Sequence, residues 1–194
     1  MQKVTRESLL SLEAYAKARP EYRVRVIAHK KHRTLRLGEH LTLIFEDETT
    51  IRYQIQEMLR AERTFEEAGI QDELDAYNPL VPDGSNWKAT MMIEYGDPQV
   101  RAAQLAKLKG IEDHVWVKAG EGAAVYAIAD EDLERENEEK TSAVHFLRFE
   151  LPPETVAALK QGAMLAVGVD HPEYRIALPT VPAAVRDSLV RDLA

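Results

Sequence analysis

The chain has 194 residues, no cysteine and a formal net charge of −8. That length suits one domain, or one domain with a helical arm, and 45% hydrophobic against 30% charged residues is enough apolar content for a sizeable core. The missing cysteine excludes disulfides, thiolate nucleophiles, zinc-thiolate sites and cysteine-ligated iron–sulfur clusters, so a metal would need His, Asp and Glu ligands.

In chain order, Thr5 precedes a helix with Leu9, Leu10, Leu12 and Tyr15 as its apolar positions, and Pro20 is expected to end it. A basic run, Tyr22–Arg36, follows. Thr34–Leu37, Gly38-Glu39 and His40–Phe45 read as a hairpin. Thr50–Ala68 reads as one helix, acidic near its N-terminus, with Gly69 as its C-cap. A short helix over Ile70–Tyr77 and a proline-rich turn lead to a strand at Ala89–Tyr95. Asp97-Pro98 opens a helix that Gly110 closes. Val115–Lys118 and Ala123–Ile128 form a second hairpin around Gly120-Glu121-Gly122. The acidic run within 130–140 reads as a solvated helix or a loop. Ser142–Leu151 is a strongly patterned strand, followed by a helix at Pro152–Lys160, strands at Met164–Val169 and Tyr174–Leu178, and a terminal helix at Pro182–Leu193. The order predicts one α+β domain over 1–194: a basic, partly helical segment (1–36), then a body (37–194) with a mostly antiparallel sheet on which the N-terminal helices pack.

Charge is unevenly spread. Residues 1–36 hold ten Lys/Arg and three acids, and the remainder fifteen Lys/Arg and thirty acids, hence +7 and −15. A basic arm for an acidic partner is one reading; docking of that segment on the chain's own acidic body is the favoured one. An acidic whole argues against nucleic acid. The polar start Met1–Arg6 and the absence of a stretch of roughly 18 apolar residues predict a cytoplasmic protein with no membrane partner.

Glu62 is the leading site candidate. Ile51, Ile55, Met58, Leu59 and Phe65 form one helical stripe, Glu62 falls inside it, and Glu66 lies a turn further along its edge. A carboxylate there would need a metal, a proton or an ion pair with Arg33 or Arg25. His145 alternates with Ala143, Leu147, Phe149 and Leu151 toward the core, so Glu62, Glu66 and His145 form a candidate buried polar site. Such a set, with His29, would suit iron, manganese or zinc, although no motif requires a cofactor. The opposite helix face, Tyr53, Glu57 and Arg60, is a candidate partner surface. His29, Lys30 and Arg33, amid other cations, are a candidate anion-binding set. No nucleotide-binding glycine loop, serine elbow or His-Glu-x-x-His zinc motif is present.

Several runs resemble the bacterial family called domain of unknown function 3501. They are Ile27–Lys30, Leu41–Asp47, Ile51–Glu62, Glu73–Pro82, Ala89–Glu94 and Thr141–Phe149. The resemblance covers nearly the whole chain and brings no catalytic residues. It implies a setting beside a rubrerythrin-like di-iron protein and a cysteine-rich iron–sulfur oxidoreductase. Three functions stand open: an accessory binding protein of such a redox or iron system, a His/Glu metalloprotein, and a metal-free enzyme using Glu62 or Glu57 with His145, Tyr53 or Tyr77 as acid and base.

Overall fold

A computed structural model of the chain describes residues 2–129 and 140–194. The first hairpin, β1 (Thr34–Leu37) and β2 (Leu41–Phe45), turns at Gly38. Its φ of +74° favours glycine, and a Cβ there would lie 2.6 Å from Tyr174 Oη. β2 pairs with β3 (Asn86–Ile93), β3 with β7 (Val144–Glu150), and β7 with the short β6 (Ile128–Ala129). A second sheet runs β5 (Ala124–Tyr126), β4 (Val115–Ala119), β8 (Leu165–His171), β9 (Tyr174–Leu178). Every pairing is antiparallel, so the α+β class stands, and the strands divide between two sheets. The chain changes sheet at Ala127, between β5 and β6, where its N–H donates to Val115 O at 2.8 Å.

Period-two alternation builds the main core. His145, Leu147 and Phe149 on β7 face inward, as do Trp87, Ala89, Met91 and Ile93 on β3. Val115, Val117, Leu165, Val167 and Val169 bring the second sheet into the same apolar cluster. Trp87 is fully buried and donates its indole N–H to Leu189 O at 3.0 Å, which ties the sheet to α6 (Ala183–Val190). The phenol of Tyr174 on β9 donates to Leu37 O at 2.6 Å and joins the two sheets at one edge.

The N-terminal helices form a layer with its own smaller core. α1 spans Leu12–Lys30, α2 Glu48–Glu62 and α3 Glu67–Tyr77. Asp47 starts α2 with a capping box: its carboxylate accepts from Thr50 N–H and its own N–H donates to Thr50 Oγ1, both at 2.9 Å. Ile51, Ile55 and Leu59 of α2 pack with Ile70 and Leu74 of α3, and with Val4, Leu9 and Val81.

Three sequence expectations change here. First, α1 begins at the Ser11 N-cap and runs through Pro20. That proline is exposed and removes one helical hydrogen bond, a loss of about 3 kcal/mol. Contacts on both sides of it, made by Tyr15, Arg19 and Tyr22 with α2, hold the helix continuous. Second, the helix expected over Thr50–Ala68 breaks after Glu62. Arg63 takes the left-handed conformation at φ 57°, the chain turns, and Gly69 lies inside α3 rather than capping a helix. Third, the N-terminal helix expected after Thr5 is only a 3-10 turn, Arg6–Ser8. The helix or loop expected in the acidic run falls outside the described residues at 130–139.

Candidate functional site

The break at Arg63 decides the fate of the leading candidate. Glu62 keeps its angular place on the α2 stripe, but the packed layer ends at Leu59, one turn earlier. Glu62 and Glu66 are therefore exposed, as is Phe65 at 73%. His145 is fully buried, with other neighbours. Its Nε2 lies 3.0 Å from Ser142 O and 3.0 Å from Thr141 Oγ1, with Glu112 Oε2 at 3.8 Å. A carbonyl only accepts, so Nε2 carries a proton toward Ser142. Glu62, Glu66 and His145 do not form one buried site. Among the described residues, no three His, Asp or Glu side chains gather as a metal site would need.

The Tyr53–Glu57–Arg60 face is covered by α1. Tyr15 Oη donates to Glu57 Oε1 at 2.6 Å, and Arg19 grips both Glu57 oxygens at 2.7 Å through Nε and Nη2. Tyr53 stacks on Tyr22 with centroids 6.0 Å apart, and Lys30 sits 5.8 Å from the Tyr53 ring centre. Only Arg60 of the three is exposed. The partner of this face is thus the chain's own first helix. The fork of Arg19 holds the Glu57 carboxyl down to about 2, helped by the Tyr15 hydroxyl.

Arg33 likewise binds internal anions. It is 1% exposed and donates to Phe45 O at 2.8 Å and Glu46 O at 3.0 Å; it forks onto Asp192, reaches Ser188 Oγ and lies 3.4 Å from Asp47. His29 Nε2 meets Asp47 Oδ2 at 2.5 Å. Burial pushes the Asp47 carboxyl up, but the bond from His29, the Arg33 charge and the Thr50 N–H outweigh it and hold Asp47 below its ordinary range. Burial leaves Asp192 above the ordinary range despite Arg33. His29, Lys30 and Arg33 are therefore not one anion site: Lys30 faces Tyr53, Arg33 is consumed by Asp192 and Asp47, and of the three only His29 lines the cavity between α1 and α2. The basic segment docks on the acidic body, as favoured, through Arg6–Glu67, Arg19–Glu57, His29–Asp47 and Arg33–Asp192.

That cavity, of about 480 Å³, lies between α1 and the start of α2. Tyr22, Arg25, Val26 and His29 line it from α1, and Thr49 and Arg52 from α2. Positions 22, 25, 26 and 29 share one helical face, and 49 and 52 share another. Arg52 pairs with Glu48 at 3.2 Å. Arg25 lies 5.6 Å from the Tyr22 ring centre and has no carboxylate partner among the described residues. Tyr22 Oη and Arg52 Nε are buried without a well-aligned hydrogen bond, and the Arg52 side chain lies beside the Tyr22 phenol. Burial raises the Tyr22 phenol, opposed by the neighbouring Arg52 charge. Thr49 stands in the first turn of α2, where backbone N–H groups lack intrahelical partners. Such a constellation attracts an anion. None of Glu57, Glu62, His145, Tyr53 or Tyr77 lines the cavity, so the expected acid/base set has no place in it.

The helical repeat of Tyr22, Arg25, Val26 and His29 is present in the sequence. A helix that stops at Pro20 leaves these positions without a common face, so the proline rule conceals the repeat.

The fold and site together define an α+β protein with two antiparallel sheets and a helical layer that carries a cationic cavity. The chain belongs to the family "Protein of unknown function (DUF3501)", which matches residues 3–193. It is similar to a solved structure of a novel protein of unknown function from Burkholderia pseudomallei K96243, with 60% identity, a TM-score of 0.95 and coverage of 100% of both chains. No curated protein matches it. No helix among the described residues is long and apolar enough to cross a membrane.

Proposed function

We propose that this is a binding protein that captures a small anionic ligand in the α1–α2 cavity. The observation that carries this is Arg25, a cavity arginine with no carboxylate partner among the described residues, beside Arg52 and His29. Tyr22 Oη on the α1 side and Arg52 Nε on the α2 side are buried without a well-aligned hydrogen bond. The test is thermal unfolding of the full chain with a panel of sodium carboxylates and phosphates. A binding anion raises the melting temperature of the wild type and not that of Arg25→Gln, and uncharged analogues raise neither. Equal shifts in both proteins would remove the cavity from consideration.

A second reading concerns the outer face of α1. Val24 and Ile27 are 68% and 47% exposed there, near Arg23 and Lys31. Exposed apolar side chains beside cations suit an acidic protein partner. The di-iron or iron–sulfur partner in a redox or iron system, which the family resemblance implies, would dock on this face rather than on Tyr53–Arg60. Size-exclusion chromatography of the mixed proteins at low salt tests it, with Val24→Glu/Ile27→Glu expected to abolish any shift.

A further inference from the structure

Charge around the cavity selects among anions, and this step rests on the anion-binding reading above. Arg52 is matched by Glu48 at 3.2 Å. His29 meets Asp47 at 2.5 Å, and Asp47 also faces Arg33, which is shared with Asp192. Among the described residues these pairs leave one cavity cation without a carboxylate, Arg25. A ligand carrying one negative charge matches that guanidinium. A second charge would be repelled by the Glu48 and Asp47 carboxylates, which sit on Arg52 and His29 behind the lining. The walls are not all polar: Val26 is 3% exposed, and the Tyr22 ring is half-buried. The volume falls in the range of roughly 300–1,000 Å³ that encloses small organic ligands, well beyond the needs of a bare inorganic ion.

We infer that the cavity takes a small monocarboxylate with an apolar body. Its carboxylate lies on the guanidinium of Arg25, whose planar fork matches two carboxylate oxygens, and its body lies against Val26 and the edge of Tyr22. Thr49, in the first turn of α2, adds hydrogen-bonding capacity at the positive end of the helix.

Ligand-observed NMR titrations of the full chain test this, with benzoate and hexanoate as monocarboxylate probes, benzamide as the uncharged isostere of benzoate, and inorganic phosphate as the more highly charged ion. The expected result is binding of at least one carboxylate. Benzamide binds about tenfold more weakly than benzoate, and Arg25→Gln costs the carboxylate about tenfold, or 1.4 kcal/mol. Arg25 is exposed, so the variant is expected to keep its fold, which its circular dichroism and melting temperature check. Phosphate binding more tightly than either carboxylate, and depending on Arg25, overturns the monocarboxylate class and leaves the anion reading standing. Carboxylate binding that is unchanged in Arg25→Gln overturns the assigned site. Failure of every anion to bind overturns both the class and the reading beneath it.

Discussion

Arg33 and Asp192, 159 residues apart in sequence, meet in the protein interior, with Arg33 Nη1 3.3 Å from Asp192 Oδ1 and Nη2 on the second oxygen. The pair joins the turn after α1 to the residues that follow α6. Its geometry makes Arg33 expensive to remove, because Asp192 and Asp47 would remain buried without their cation. Arg33→Met is expected to lose about 3–5 kcal/mol, and Arg33→Met/Asp192→Leu to recover a good part of that loss. Urea unfolding of the three proteins measures it. A single variant as stable as wild type would show that the pair contributes nothing.

Glu57 sets an acid limit on the α1–α2 contact. Its carboxyl is held down to about 2 in the folded protein, below its ordinary value of 4.5. A lowered carboxyl pKa adds stability that is full above the unfolded value and is lost as pH falls through the folded one. Glu57→Gln should therefore be less stable than wild type near pH 7, by roughly 1–3 kcal/mol for lost bonds to a charged group. The difference should shrink between about pH 4.5 and pH 2. Chemical unfolding across that range checks it; a gap independent of pH would contradict the assignment.

Gly168 on β8 lies opposite Trp116 on β4. A Cβ at Gly168 would sit 2.7 Å from Trp116 Cε2 and 2.8 Å from Ile176 O. One of these neighbours is backbone and cannot swing aside. Gly168→Ala should cost about 1–3 kcal/mol and change the Trp116 fluorescence, since the indole has to move. Normal stability with an unchanged emission spectrum would mean that this approach is looser than described.

The Tyr22 hydroxyl is buried without a well-aligned hydrogen bond, with the Arg52 side chain beside it. Removing an unsatisfied buried group relieves its desolvation cost. Tyr22→Phe should leave the stability of the ligand-free protein unchanged or raise it by up to about 1 kcal/mol, while weakening any anion that uses the phenol. A clear loss of stability would reveal an internal partner for Oη.

Much of the strand arrangement was legible because alternation is local. His145, Leu147 and Phe149 announce their inward face, and Gly38 announces its turn. The Asp97-Pro98 start was legible for the same reason: the Asp97 carboxylate accepts from Gln99 and Val100 N–H at 2.7 and 3.0 Å. Division into two sheets was not legible, since nothing in β5 or β6 says that Ala127 changes sheet. The site was read wrongly at two residues. At Pro20 the proline rule predicts a helix stop, but tertiary contacts on both sides outweigh one lost hydrogen bond. At Glu62 the helical angle predicts burial, but burial also needs an element to pack against that turn.

The two apolar clusters share no buried residue: one holds the sheets with α6, the other holds α2, α3 and the segments beside them. A protein with two cores has two ways to open. Amide hydrogens of α2 and α3, with α1 held on α2 by Tyr15, Arg19 and Tyr22, can exchange through a local opening that leaves the strands protected, because their cluster is the smaller of the two. The cavity lies in this less protected layer, so a ligand that bridges α1 and α2 would slow exchange there first and leave the sheets nearly untouched. Where protection rises on adding a ligand is thus a direct readout of where it binds.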